Sequence, residues 1–257
     1  MCELYGFSGS REKKLNGDLR TFYSHACGHP NGWGLALLDE NAPEVIREVC
    51  RADRSEYLRN RLESPILART ALAHIRRATI GSEEFVNCHP FTAADSCGRQ
   101  WILIHNGTVF ESEHLNRYVF RQRGETDSER ILLYIIDKIN EASDIAKRPL
   151  TSGERFALLD KIVCGSSPKN KLNLLIYDGE LLYAHTNFKD SLYEKLDHFG
   201  TTFSTCPLTG EGWQELPFTT LTAYHEGRRV FTGTNHQHEY FFDPSSYKPL
   251  FLAYSGL

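Results

Sequence analysis

Four short stretches of the chain carry residue types that can do chemistry. It opens Met1-Cys2-Glu3-Leu4-Tyr5-Gly6-Phe7. Removal of Met1 leaves Cys2 with a thiol and a free α-amine on one residue, a nucleophile with its own base attached. An amine of reference pKa about 8 can take or relay the thiol proton near neutral pH. Many chains carry a small second residue by accident, so Cys2 gains meaning only from its company. The second stretch is Ala73-His74-Ile75-Arg76-Arg77-Ala78-Thr79-Ile80-Gly81. On a strand, Arg76 shares a face with His74. An arginine approaching a core needs an anionic partner, and its planar fork matches a carboxylate; the plainer reading is a solvated arginine at a strand end. The third is His105-Asn106-Gly107-Thr108. Asn-Gly after a strand is most often a tight turn. It can also aim a side-chain amide and a backbone N–H at one point, as an oxyanion hole does. The fourth is Asp127 in the first turn of an expected helix, where a carboxylate either balances the positive helix end or binds an ammonium group.

Composition narrows what these groups can serve. The chain has 257 residues, 40% of them apolar and 24% charged, with a formal net charge of −4. That describes an ordinary globular protein and gives no electrostatic case for nucleic acid or an anionic membrane. No apolar run approaches the roughly 18 residues that suggest a bilayer span. No basic-then-apolar leader opens the chain, so the expected location is the cytoplasm. The seven cysteines, at 2, 27, 50, 88, 97, 164 and 206, are odd in number and lack a Cys-x-x-Cys pair, which argues against a disulfide framework or a structural zinc site. Cys27 near His25 and His29, Cys88 beside His89, and His236-Gln237-His238 are metal-like only in isolation, since no further ligands stand at a recognisable spacing.

The positioning elements follow from patterning. Residues 2–8 read as a short strand, 10–20 as polar chain with a turn at Asn16-Gly17-Asp18, and 25–32 as a loop. Residues 33–38 and 45–49 read as a hairpin around a turn at Asp39-Glu40-Asn41. Residues 53–62 suit a surface helix limited by Pro65. Residues 71–75 fit strand or helix equally, and 83–96 read as loop. A strand at 101–105 runs into Asn106-Gly107. Thr126 and Glu129 have the spacing of a capping box, opening a helix with Ile131, Leu132, Ile135, Ile136 and Ile139 inward. A second helix spans 153–163, with Phe156, Leu159, Ile162 and Val163 inward. Residues 172–177 and 180–184 form the clearest hairpin, through Asp178-Gly179. Strand-like pieces at 201–205, 219–225 and 228–232 close the chain, with Gly227 turning between the last two. No linker or repeat divides this pattern, which predicts one α+β domain of mostly antiparallel strands.

A nucleophile, two oxyanion donors, a carboxylate clamp and an ammonium partner would together suit a molecule with an α-carboxylate, an α-amine and an electrophilic carbonyl some atoms away. Glutamine or a γ-glutamyl compound is such a molecule. The same pieces, in order, resemble the class II glutamine amidotransferases with their N-terminal-nucleophile (Ntn) glutaminase domain. They are Cys2 with Gly6, Gly32-Trp33-Gly34-Leu35-Ala36, His74-Ile75-Arg76-Arg77-Ala78-Thr79, His89-Pro90-Phe91, His105-Asn106-Gly107 and Thr126-Asp127-Ser128-Glu129. Ser204-Thr205-Cys206-Pro207-Leu208 followed by Trp213 is similar to a late strand of stand-alone members, where Glu often stands in place of Cys206.

The resemblance implies a single glutaminase domain over residues 1–257, with the four-layer α/β/β/α sandwich of the Ntn hydrolases. It implies that Cys2 attacks the side-chain amide of L-glutamine through a γ-glutamyl thioester, with Asn106 and the Gly107 N–H holding the oxyanion. Arg76 would bind the α-carboxylate and Asp127 the α-ammonium. Thr79 and His89 would line the pocket, and Trp33-Gly34 would shape its floor. No metal or organic cofactor is called for. The sugar-phosphate aminating members have Trp after the Arg and His after the Thr; here those positions are Arg77 and Ile80. With no acceptor domain in sight, the chain resembles the compact stand-alone type, which releases ammonia or passes it to a separate acceptor enzyme. Two alternatives stand: a γ-glutamyl amide hydrolase acting on a small peptide or thiol conjugate, and a catalytically silent glutamine-binding or regulatory protein. The oligomeric state is open, a homo-oligomer included. A retained Met1 would lock the Cys2 amine in a peptide bond.

Overall fold

The opening apolar run becomes the middle of a sheet because it finds a partner on both sides. A computed structural model describes residues 2–38, 43–110 and 112–243. In chain order these form β1 (Glu3–Lys14), α1 (Asn16–Ser24), β2 (Trp33–Leu37), β3 (Glu44–Glu48), α2 (Glu56–Glu63), β4 (Leu67–Ile75), β5 (Phe91–Ala94) and β6 (Gln100–His105). There follow α3 (Glu113–Asn116), α4 (Asp127–Ala146), α5 (Ser152–Ser166), β7 (Leu174–Tyr177), β8 (Leu182–His185), β9 (Tyr193–Leu196), β10 (Gly200–Ser204), β11 (Gln214–Glu215), β12 (Thr220–His225) and β13 (Arg228–Asn235). One sheet has the order β11-β9-β10-β1-β4-β2-β3 and the other β13-β12-β8-β7-β6-β5. The pairings within both are antiparallel, β1 meeting β4 on one side and β10 on the other.

Period-two alternation sorts the first sheet's residues into two layers. Leu4, Ala36, Leu72 and Phe203 face the second sheet and pack with its Ile102, Ile104, Leu175 and Ala184. Tyr5, Phe7, Leu35, Ala73 and Ile75 face outward, onto Leu19 and Phe22 of α1 and Leu58 of α2. The outer face of the second sheet, with Trp101, Leu103, Leu174 and Ile176, takes the apolar sides of α4 and α5, including Ile131, Ile135, Phe156 and Leu159. The result is the α/β/β/α sandwich of two mostly antiparallel sheets. No described helix is long and apolar enough to cross a membrane.

Several local expectations change. Residues 10–20 are not a polar turn region: β1 runs on to Lys14 and α1 begins at Asn16. Asn16 spends its side chain on the tertiary fold, accepting from Ile66 N at 2.8 Å and donating to Leu62 O and Ser64 O at 2.9 and 2.7 Å. Residues 83–96 are not all loop, since β5 pairs with β6. The ambiguous 71–75 piece is strand, enclosed by β1 and β2. The Thr126 box is half made. Thr126 Oγ1 accepts from Glu129 N at 3.3 Å, but the Glu129 carboxylate accepts from Arg123 N and Gly124 N at 2.9 Å each. The complete box caps α5, between Thr151 and Glu154. The expected turn at residues 39–41 lies outside the described residues, as does Met1.

This topology gathers the chemistry at one end of the sandwich. Because β1 and β4 are antiparallel, with Glu3 opposite Ile75, Cys2 at the start of one strand adjoins Arg76 and Arg77 at the end of the other.

Candidate active site

The Cys2 thiol is held against the backbone just past β4. Its Sγ accepts from Arg77 N and donates to Arg77 O, both at 3.4 Å. Burial pushes the thiol's pKa up; the bond to the Arg77 backbone, the N-terminal charge, Arg76 and Lys171 pull it down. Beside the sulfur is a cavity of about 30 Å³, lined by Cys2, Arg76, Thr79, His89, Gly107 and Asp127 among others. Six of the nine expected site residues therefore share one small space. An amino acid does not fit in it until the lining moves.

Arg76 is buried, and its guanidinium closes the following turn. Nη1 donates to Ser82 O at 2.9 Å, and Nη2 to Ile80 O and Gly81 O at 3.1 and 3.0 Å. Of five N–H donors, Nε–H and one Nη1–H are left for a ligand. The same turn is tied from outside: Ser82 donates through N and Oγ to Glu125 Oε2 at 2.7 and 2.8 Å, which holds the Glu125 carboxyl below its ordinary pKa. Gly81, at φ +83°, supplies the left-handed conformation that the turn requires.

Gly107 follows β6, and its neighbours show which way its amide points. Asn106 N donates to Asn173 O at 2.9 Å and Thr108 N to Lys171 O at 3.0 Å. Successive amides of an extended chain point to opposite sides. The Gly107 N–H therefore faces away from that strand, and no described residue accepts from it. A Cβ at Gly107 would stand 1.9 Å from Lys171 O and 2.2 Å from His105 Nε2, so only glycine fits. Asn106 is buried but is not part of the cavity lining.

Asp127 opens α4 with its carboxylate spent locally: Oδ2 accepts from Val109 N at 2.7 Å and Oδ1 from Ser128 N at 3.0 Å. His105 bridges the same region, Nε2 to Lys171 O at 3.2 Å and Nδ1 to Ser128 Oγ at 3.0 Å. A carbonyl only accepts, so Nε2 carries the proton and Nδ1 accepts from the Ser128 hydroxyl. His89 stacks on His74, and burial lowers the pKa of both.

Trp33 and Gly34 lie outside the lining. Trp33 belongs to the layer under α1, edge-on to Tyr23, with Nε1 donating to Glu48 Oε2 at 3.0 Å. Gly34 acts at one remove: a Cβ there would be 2.0 Å from His89 O, so its bareness lets the His89 segment settle against β2. Sequence reasoning passed over Lys171. This lysine is buried, and burial lowers its pKa to about 8. Its one signal was a cation abutting the apolar strand 172–177. Among the described residues, no three His, Cys, Asp or Glu gather to hold a metal ion.

A family profile described as glutamine amidotransferases class-II matches residues 1–199. An uncharacterized protein of Methanocaldococcus jannaschii is 26% identical over 260 residues, covering 90% of this chain and 71% of its own. YafJ of Escherichia coli, provisionally designated a glutamine amidotransferase, is 26% identical over 246 residues, covering 84% of this chain and 94% of its own. Among solved structures, a predicted glutamine amidotransferase from Pseudomonas aeruginosa PA01 superposes with a TM-score of 0.60 at 20% identity, over 90% of this chain and 95% of that one.

Proposed function

The chain belongs to the class-II glutamine amidotransferases, and on that premise we propose that it hydrolyses the side-chain amide of L-glutamine with Cys2 as nucleophile. The observation that carries this reading is the single cavity shared by Cys2, Arg76, Thr79, His89, Gly107 and Asp127. It supports a substrate with a carboxylate at one end and a carbonyl within reach of the sulfur.

The thiolate of Cys2 attacks the amide carbon, and the negative charge moves to the carbonyl oxygen. The Gly107 N–H, which no described residue occupies, meets that oxygen, and the Asn106 side-chain amide joins it once substrate is bound. Arg76 turns its remaining donors to the α-carboxylate, and Asp127 faces the α-ammonium. The tetrahedral intermediate expels ammonia, which takes its proton through the Cys2 α-amine, and leaves a γ-glutamyl thioester. Water then cleaves the thioester to glutamate. Ammonia leaves free or reaches an acceptor enzyme.

The test is intact mass and ammonia release on one purified sample given L-glutamine. A chain lacking Met1 that yields steady ammonia, with Cys2→Ala inactive, upholds the reading. A chain lacking Met1 that yields none with glutamine but cleaves a larger γ-glutamyl amide makes it a γ-glutamyl amide hydrolase. Glutamine binding without turnover in the processed chain makes it a silent binding protein.

A further inference from the structure

We propose that Asn31 is a positioning residue for the nucleophile: it fixes, from one edge, the two peptide groups of Arg77 whose other edges hold the Cys2 sulfur. The proposal rests on Cys2 being the nucleophile of the preceding reading.

Backbone holds the Cys2 thiol. Arg77 N donates to Sγ and Sγ donates to Arg77 O, both at 3.4 Å. These two atoms belong to consecutive peptide groups, one joining Arg76 to Arg77 and the other joining Arg77 to Ala78. Both groups are trans, and in a trans peptide the C=O and the N–H point in opposite directions. The edges turned away from the sulfur are therefore Arg76 O and Ala78 N, and Asn31 takes both. Asn31 N donates to Arg76 O at 3.0 Å, and Ala78 N donates to Asn31 Oδ1 at 2.8 Å.

Each of the two bonds has its own task. The backbone of Asn31 orients the Arg77 N–H, which favours the thiolate. The side chain orients the Arg77 carbonyl, which accepts the thiol proton and favours the neutral thiol. Asn31 is buried, and its amide has one orientation: Oδ1 accepts from Ala78 N, and Nδ2 donates to Glu83 Oε1. Its place follows from the sheet. Trp33 of β2 pairs with Ile75 of β4, and Arg76 N donates to Gly32 O at 2.8 Å. Beyond that point the Asn31 side chain continues the hold on the chain as far as Ala78. Asn31 does not line the cavity, so it reaches the reaction through the backbone that holds the sulfur.

The experiment reads the thiol itself. Iodoacetamide alkylation of Cys2 is followed against pH by the mass of the N-terminal peptide, which separates it from the exposed Cys27, Cys50, Cys97 and Cys206. Asn31→Ala alters no charge, so burial, the N-terminal charge, Arg76 and Lys171 act alike on the thiol in parent and variant. With Ala78 N released, the Arg77 carbonyl leaves the thiol proton while the Arg77 N–H stays. The alkylation midpoint should then fall by about half a pH unit, with roughly threefold faster alkylation below it. Asn31→Asp keeps the acceptor and should not lower the midpoint. In a protein that turns over glutamine, kcat of Asn31→Ala should nonetheless fall about tenfold at similar KM, because the sulfur is no longer held in line. A role in stability alone would lower the melting temperature and leave the Cys2 midpoint in place. If Asn31→Ala does not fold, hydrogen exchange at the Ala78 amide decides the matter. It should quicken in Cys2→Ala, which frees the other edge of the same peptide group, because linkage between two sites is reciprocal. An unchanged or raised midpoint in Asn31→Ala, an unchanged kcat, or Ala78 exchange indifferent to Cys2→Ala overturns the proposal. Alkylation and exchange need no turnover, so a protein that releases no ammonia still gives an answer, and that failure belongs to the preceding reading alone.

Discussion

His89 stacks on His74 with ring centroids 4.0 Å apart, and none of the four ring nitrogens has a hydrogen-bond partner among the described residues. Burial holds His74 down to about 3 and His89 well below its ordinary value. In the unfolded chain both take up a proton near pH 6.5, and in the native protein neither does. The unfolded state then binds more protons, so native stability is full above about pH 6.5 and is lost as the pH falls toward 3, each such histidine contributing up to about 1.4 kcal/mol per pH unit. The urea midpoint should therefore fall from pH 6.5 to 5, before most carboxylates titrate. In His74→Phe, which keeps the ring and removes the proton site, that slope should be shallower by about one proton. Parallel curves for the two proteins would sink the explanation.

Asp178 was expected only to turn a hairpin, and its carboxylate does more. Oδ1 accepts from Glu180 N and Leu181 N at 2.9 and 2.7 Å, while Oδ2 accepts from Arg155 Nε at 2.6 Å and from the Tyr183 hydroxyl at 2.7 Å. Arg155 and Asp178 are both buried, so Asp178→Ala removes the buried partner of Nε and leaves the guanidinium with Glu180 Oε2 at 2.6 Å and Leu150 O at 2.7 Å. The expected cost is about 3 kcal/mol, the low end for a broken buried pair, because Glu180 still meets the guanidinium. Glu141→Ala, which breaks an exposed pair with Lys138, should cost at most about 1 kcal/mol. Denaturant unfolding of both variants checks this; equal losses would mean the buried pair carries no special weight.

Legibility tracked how local each feature is. The β7–β8 hairpin was readable because Asp178-Gly179 and the flanking apolar runs specify it within a dozen residues. Helix α1 was missed because Asn16-Gly17-Asp18 has turn chemistry, yet Leu15, Leu19, Phe22 and Tyr23 repeat at the spacing of a helix face, and all four are buried. Tertiary bonds from Asn16 decided the conflict. In the site, residue types announced Cys2, Arg76, Gly107 and Asp127. What they bond to did not follow from types. Arg76 grips carbonyls four to six residues ahead, Lys171 pairs its backbone with Thr108 beside the site, and Asn106 stands outside the cavity that Gly107 lines. These depend on how chain segments distant in sequence approach one another.

The oxyanion donors should respond unequally to substitution. Asn106→Ala removes a side-chain donor and leaves the Gly107 amide in place, so catalytic efficiency with glutamine should fall about 100- to 1,000-fold, roughly 2.7–4 kcal/mol of transition-state stabilisation. Gly107→Ala instead drives a methyl into Lys171 O, at 1.9 Å, and should lower thermal stability as well as activity. Steady-state kinetics beside melting curves separate the two. An Asn106→Ala enzyme with unchanged efficiency would remove that side chain from the mechanism.

Arg76 has two duties that one substitution can separate. Both Nη2 hydrogens and one on Nη1 hold the turn at residues 80–82, and the remaining donors are those proposed to meet the substrate carboxylate. Arg76→Lys keeps the charge but cannot span three carbonyls, since an ammonium is a compact point charge. Amide hydrogen exchange in residues 78–83 should quicken. If the carboxylate is also bound there, the loss of a charge-assisted hydrogen bond, about 1.5–3 kcal/mol, should raise KM for glutamine by tenfold or more with a smaller fall in kcat. Faster exchange with unchanged KM would make Arg76 a turn-forming residue only. An equal fall in kcat and kcat/KM would mean that its contact is made in the transition state rather than with bound substrate.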